Sequence, residues 1–141
     1  MVAKKDEKSI EVEKALDLAQ LSTEKLCDEG VWLTLEHPIT GEPLPARIRL
    51  AGIDSKIYQQ QIRKNQNKRL KRFRFKMSSE EIENERLNLL AAITLEWEGV
   101  VENGQALECN TKNARHVYAT YPWIREQVDE FAGDRANFIK S

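Results

Sequence analysis

The stretch VWLTLE (31–36) sets Val31, Leu33 and Leu35 against Trp32, Thr34 and Glu36. A period of two predicts a strand with one dry face. HPITGEPLP (37–45) packs three prolines and a glycine into nine residues, which marks a loop. ARIRLAG (46–52) alternates again, with Ile48 and Leu50 opposed to Arg47 and Arg49. The two segments predict an antiparallel hairpin with one wet face and one dry face.

Helical spacing takes over beyond residue 54. Asp54 or Ser55 can cap a helix predicted over 55–77. At 100° per residue, Gln59, Ile62, Gln66, Leu70, Phe73 and Met77 form a stripe about 80° wide. A second helix is predicted from Ser78 or Ser79, and Ser78 with Glu81 completes a capping box. Between 87 and 95 its apolar residues surround the axis, which predicts burial or cover by a partner. Asn103-Gly104, between short apolar segments, predicts a second hairpin, because both turn positions need positive φ. Thr111 is placed as the cap of a helix carrying Ala114, Val117, Tyr118 and Tyr121. Pro122 breaks it and opens another, in which Ile124, Val128, Phe131 and Ala132 share a face. Gly133 ends that helix, and Asp134 restarts a short one.

These elements predict an α+β domain dominated by helices, with two short antiparallel hairpins and about four helices. Residues 28–141 form the domain, and 1–27 read as an appendage, helical or disordered. There Ile10, Leu16, Leu18, Leu21 and Leu26 are thinly scattered among charges. The chain has 141 residues, which suits one domain. No window approaches the roughly 18 apolar residues of a membrane span, and the N-terminus has no apolar signal core. A cytoplasmic protein with no membrane partner is the expectation.

Charge is unevenly spread. Net charge is -1, yet residues 55–77 hold nine Lys or Arg and no acid. The basic run IRKNQNKRLKRFRFK (62–76) wraps about 240° of its helix. A nucleic-acid surface would gather its bases on one face, with groups able to reach base edges. A solvated helix with long aliphatic stems over apolar surface fits the wrapping better. Nucleic acid is therefore the weaker expectation, although a regulator binding it through 62–76 stays open.

Candidate chemistry is sparse. His37 precedes a proline and His116 sits mid-helix, neither with a ligand at metal spacing. Cys27 and Cys109 read as separate reduced thiols. There is no phosphate loop, nucleophile elbow or CxxC, and Glu80, Glu81, Glu83 and Glu85 suit the positive end of a helix dipole. The expectation is a protein that is not an enzyme and takes no cofactor or metal.

Three blocks carry a resemblance: EHPITGEPLPARIRLAGIDSKIY (36–58), SSEEIENERLNLLAAITLEWEGVV (78–101) and NARHVYATYPWIREQVDEFAGDRANFIK (113–140). Together they resemble the tail assembly chaperones of long-tailed bacteriophages and prophages. The most telling strings are TGEPL, LLAA followed by WEGVV, YPWIREQVD and DRANF. The resemblance implies a protein that keeps the apolar, helical tape-measure protein soluble while tail-tube subunits assemble around it, and that is missing from the mature virion. It also implies a longer frameshifted product that engages the tube protein, with this chain as the shorter form.

Pattern alone supplies the contact residues. Leu89, Leu90, Ile93, Trp123, Ile124 and Phe131 are expected to form a client or self-association surface. Arg63, Lys64, Lys68 and Arg72 are expected to steer an acidic client. A homo-oligomer is anticipated, because an all-round apolar helix needs more cover than a small domain provides. A structural head–tail or tail component is the other phage reading.

Overall fold

The computed structural model describes residues 14–71 and 77–139. The α-helices bounded within these described residues are α1 (Glu24–Glu29), α2 (Lys56–Lys71), α3 (Ser79–Ile93), α4 (Thr111–Thr120) and α5 (Pro122–Gly133). Strands β1 (Val31–Glu36), β2 (Pro43–Leu50) and β3 (Thr94–Glu98) form an antiparallel sheet in that order. Strands β4 (Val101–Glu102) and β5 (Gln105–Ala106) make a separate hairpin. The α+β class is as expected, but one of the two sheets has three strands.

The sheet is amphipathic because its register aligns like residues. Leu33, Ile48 and Trp97 form one row across all three strands, on the dry face. Thr34, Arg47 and Glu98 form a row on the wet face, where Arg47 Nε donates to Glu98 at 2.7 Å. The Arg47 guanidinium also lies 4.0 Å from the centre of the Trp32 ring. The dry face packs on α3, α4 and α5 around Ile48, Leu50, Leu90, Ile93, Tyr118 and Val128.

The third strand corrects the expected helix over 78–95. The helix stops at Ile93 because Thr94 turns its hydroxyl back to Leu90 O at 2.8 Å and takes extended backbone. TLEWE then alternates with period two, so Leu95 belongs to the sheet. The all-round apolar stretch is covered from within this one chain, by the sheet and by α4 and α5, and so needs no partner to cover it.

Three further expectations shift. Asn110, not Thr111, caps α4, its Oδ1 accepting from Asn113 N at 2.8 Å. Strand β2 begins at Pro43, inside the predicted loop. The buried face of α2 is Tyr58, Ile62 and Asn65, with Arg69 reaching Glu85 of α3, whereas Leu70 of the predicted stripe is 75% exposed. A polar residue wins this face because Gln61 Nε2 donates to Asn65 Oδ1 at 3.0 Å. Phe73 of the same stripe lies outside the described residues.

The boundary predicted at residue 27 falls inside α1, and α1 belongs to the folded body. Cys27 is buried, and Asp28 Oδ1 accepts from Lys56 N at 2.8 Å, capping α2. Residues 51–53 cross the interior as irregular backbone, and each amide finds a different element. Ala51 N donates to Ile93 O, Gly52 N to Cys27 O and Ile53 N to Ala132 O.

Candidate protein-docking groove

An apolar groove of about 220 Å³ opens between the sheet, the β4–β5 hairpin and the α4–α5 corner. Leu35, Leu44 and Ile48 form its floor. Val101 and Leu107 form one wall, and Tyr121, Trp123 and Ile124 the other. Val101 is 58% exposed and Trp123 half-buried, so the mouth is apolar on both sides.

Local chemistry builds each wall. Asn103 (φ 51) and Gly104 (φ 80) form the tight turn that the sequence predicts. Trp97 Nε1 donates to Leu107 O at 2.8 Å and ties the hairpin to β3. Gly99 has φ 73, and a Cβ there would sit 2.1 Å from Pro45 O. Only glycine lets this turn lie flat on β2 and hold Val101 over the groove. On the other side Pro122 opens α5 directly after Tyr121, which caps α4 and α5 alike and brings Tyr121, Trp123 and Ile124 to one corner.

One carboxylate stands at the rim. Glu102 accepts from Tyr121 Oη at 2.6 Å, and His116 Nε2 lies 3.0 Å from Glu102 Oε1. These bonds, Tyr121 first, hold the Glu102 carboxyl below the usual range, and Glu102 raises the Tyr121 phenol in turn. The trio clips the hairpin to the helices. His37 has a local task, its Nδ1 accepting from Ile39 N and Thr40 N.

The six expected contact residues do not form one surface. Leu89, Leu90, Ile93 and Ile124 are buried in the core of the single chain, where α3 and α5 meet the sheet. Ile124 and Trp123 line one wall of the groove, with Trp123 at its rim. Phe131 is half-buried elsewhere, edge-on to Phe138 with centroids 5.7 Å apart. Sequence reasoning missed Leu35, Leu44 and Val101, and the proline–glycine punctuation around them was the only local hint.

Of the expected steering cations, Arg63, Lys64 and Lys68 are exposed and make no ion pair among the described residues. Arg72 lies outside the described residues. The glutamates at the start of α3 serve more than the helix dipole. Glu85 takes a two-pronged Arg69 contact and Glu83 accepts from Arg125 Nη1 at 2.7 Å. Arg86 binds Asp129 at 2.7 Å, so charge pairs stitch α2, α3 and α5. Burial raises both thiols, Cys27 and Cys109. Among the described residues no group of His, Cys, Asp and Glu is arranged to hold a metal, and no helix is long and apolar enough to cross a membrane.

Compared with known proteins, the chain matches no family model, no curated protein and no solved structure. The groove therefore stands on its own geometry. It can desolvate one or two apolar side chains of a partner, and its rim offers Trp123 as an aromatic anchor.

Proposed function

We propose that the protein is a non-enzymatic tail assembly chaperone, acting in the bacterial cytoplasm and absent from the mature virion, which keeps the tape-measure protein soluble until tube subunits enclose it. The observation that carries this reading is the open apolar groove with Trp123 and Val101 at its mouth. An amphipathic helix presents apolar residues at i, i+3, i+4 and i+7, and such residues insert into grooves of this size and lining. The resemblance of residues 36–58, 78–101 and 113–140 to tail assembly chaperones points the same way.

Co-expression with the tape-measure protein tests the reading. Val101→Asp combined with Trp123→Ser puts charge and polarity at the mouth while leaving every fully buried core residue in place. The expected outcome is a folded protein whose client precipitates. If the double variant melts like the wild type and still keeps the client soluble, the groove is not the site. If the wild type itself fails to keep that client soluble, the chaperone reading is wrong.

A further inference from the structure

Helix α2 has two unlike faces. Tyr58, Ile62 and Asn65 lie within about 60° of one another and turn to α3. Across the helix, within about 120°, lie Arg63, Lys64, Leu70 and Lys71. All four are exposed, and the three cations have no ion-pair partner among the described residues. Elsewhere, β1 and α5 frame a cleft of about 220 Å³ whose apolar floor is Leu33 and Phe131. Its charged lining is Glu36, Glu130 and Asp134, with no Lys or Arg. Among the described residues Glu36, Glu130 and Asp134 make no ion pair, and the Asp134 carboxylate accepts from Ala136 N.

We propose that these two patches are the complementary halves of an interface between copies of this chain. The outer face of α2 in one copy seats on the Leu33–Phe131 cleft of the next, with Leu70 against the phenyl ring and the cations against the carboxylates. Complementarity of charge selects this occupant. A nucleic acid would also attract the cations, but it would be repelled by the remaining chain, where 23 acids lie outside the basic run. Within one copy the patches cannot meet. Helix α2 starts beside Asp54, which Arg135 clasps next to Asp134. At 1.5 Å per residue the helix then carries Leu70 about 20 Å away, with its cationic face turned outward. Because the two patches differ, the contact is heterologous and either closes into a ring or extends as a chain.

This proposal is independent of the client reading, since it concerns the purified protein alone. Sedimentation of the full chain tests it. In about 0.01 M salt, where screening reaches roughly 30 Å, the wild type is expected to sediment above monomer mass, and in about 1 M salt, where it reaches roughly 3 Å, as monomer. Arg63→Glu with Lys71→Glu makes both patches acidic, and Glu36→Lys with Glu130→Lys makes both basic. Each variant alone is expected to weaken association by at least about tenfold. An equal mixture is expected to restore it, because each variant then meets the opposite charge. All four sites are exposed, so melting curves should match the wild type. The proposal is overturned if the wild type is monomeric at low salt, if either variant associates like the wild type, or if the mixture fails to recover. It is equally overturned if the monomer instead binds a duplex oligonucleotide through Arg63 and Lys71.

Discussion

Asp54 joins three parts of the chain that are distant in sequence. Its carboxylate accepts from Thr23 Oγ1 just before α1, and from Arg135 Nε at 2.8 Å and Nη2 at 3.0 Å just after α5. Asp54 itself precedes α2. Replacing it with alanine removes all three bonds. Arg135 is more than half exposed, so screening limits that pair to about 0.5–1 kcal/mol. The Thr23 bond is partly buried and charge-assisted, and contributes about 1–1.5 kcal/mol. Asp54→Ala should therefore destabilise the protein by about 2 kcal/mol and lower its melting temperature by about 7 °C.

The pH dependence isolates the charge. The bonds from Arg135 first, then Thr23, hold the Asp54 carboxyl below its ordinary value of 3.8. A lowered native value means stability that is present above 3.8 and is lost as pH falls through the native value. Urea unfolding of wild type and Asp54→Ala, followed by circular dichroism from neutral pH down past that value, should show the gap closing on acidification. A gap that is already negligible at neutral pH, or that persists unchanged in acid, would refute the carboxylate as the fastener.

Three other outcomes follow from the same geometry. Gly99→Ala combines positive φ with a clash against Pro45 O, so denaturant unfolding should show a loss of about 3 kcal/mol, far above an ordinary surface substitution. Tyr118→Phe removes the 2.6 Å bond between Tyr118 Oη and Thr94 Oγ1 but leaves Thr94 bonded to Leu90 O, so thermal unfolding should report a cost of only about 1 kcal/mol. Because Glu102 titrates below the usual range, the bonds from Tyr121 and His116 are present above that range and lost as pH falls through the lowered value, so hydrogen exchange in 101–106 should quicken on acidification relative to α4, and Tyr121→Phe should weaken that response.

What the sequence disclosed was local. VWLTLE, the Asn103-Gly104 turn, the Ser78 N-cap and the Pro122 break each carry their signal within a few residues, and each stands where it was expected. The third strand escaped because TLEWE follows a run of leucines and alanines whose helical periodicity dominates any window that includes both. The face of α2 escaped for another reason. Its packing residues include Asn65 and the Arg69 stem, which a count of apolar positions ignores, although both are satisfied by partners in the fold. The groove was least legible, since its lining runs from Leu35 to Ile124 and is assembled wholly by long-range packing. The different places of Trp123, at the groove mouth, and Ile124, buried beneath it, show the limit. Helical spacing identifies an apolar face, but it cannot say which member of that face the rest of the chain leaves uncovered.

The two ends of the domain differ in how they are held, and this bears on how a client would be received. Around residues 51–54 the backbone amides bond three separate elements, Asp54 clasps both flanks, and Gly52 admits no Cβ because Cys27 Sγ would lie 2.4 Å away. That end has little freedom. At the groove, β4 and β5 contribute two residues each, and the wall they form is fastened by Trp97 Nε1, by the Glu102 clip and by the Leu107 amide on Val100 O. Few fasteners and an exposed Val101 leave this wall less firmly held than the Asp54 end. A rigid floor of Leu35 and Ile48 fixes where an apolar side chain enters, while a lightly held wall adapts to its shape. Under the proposed chaperone role, that division would let the groove accept more than one apolar helical segment.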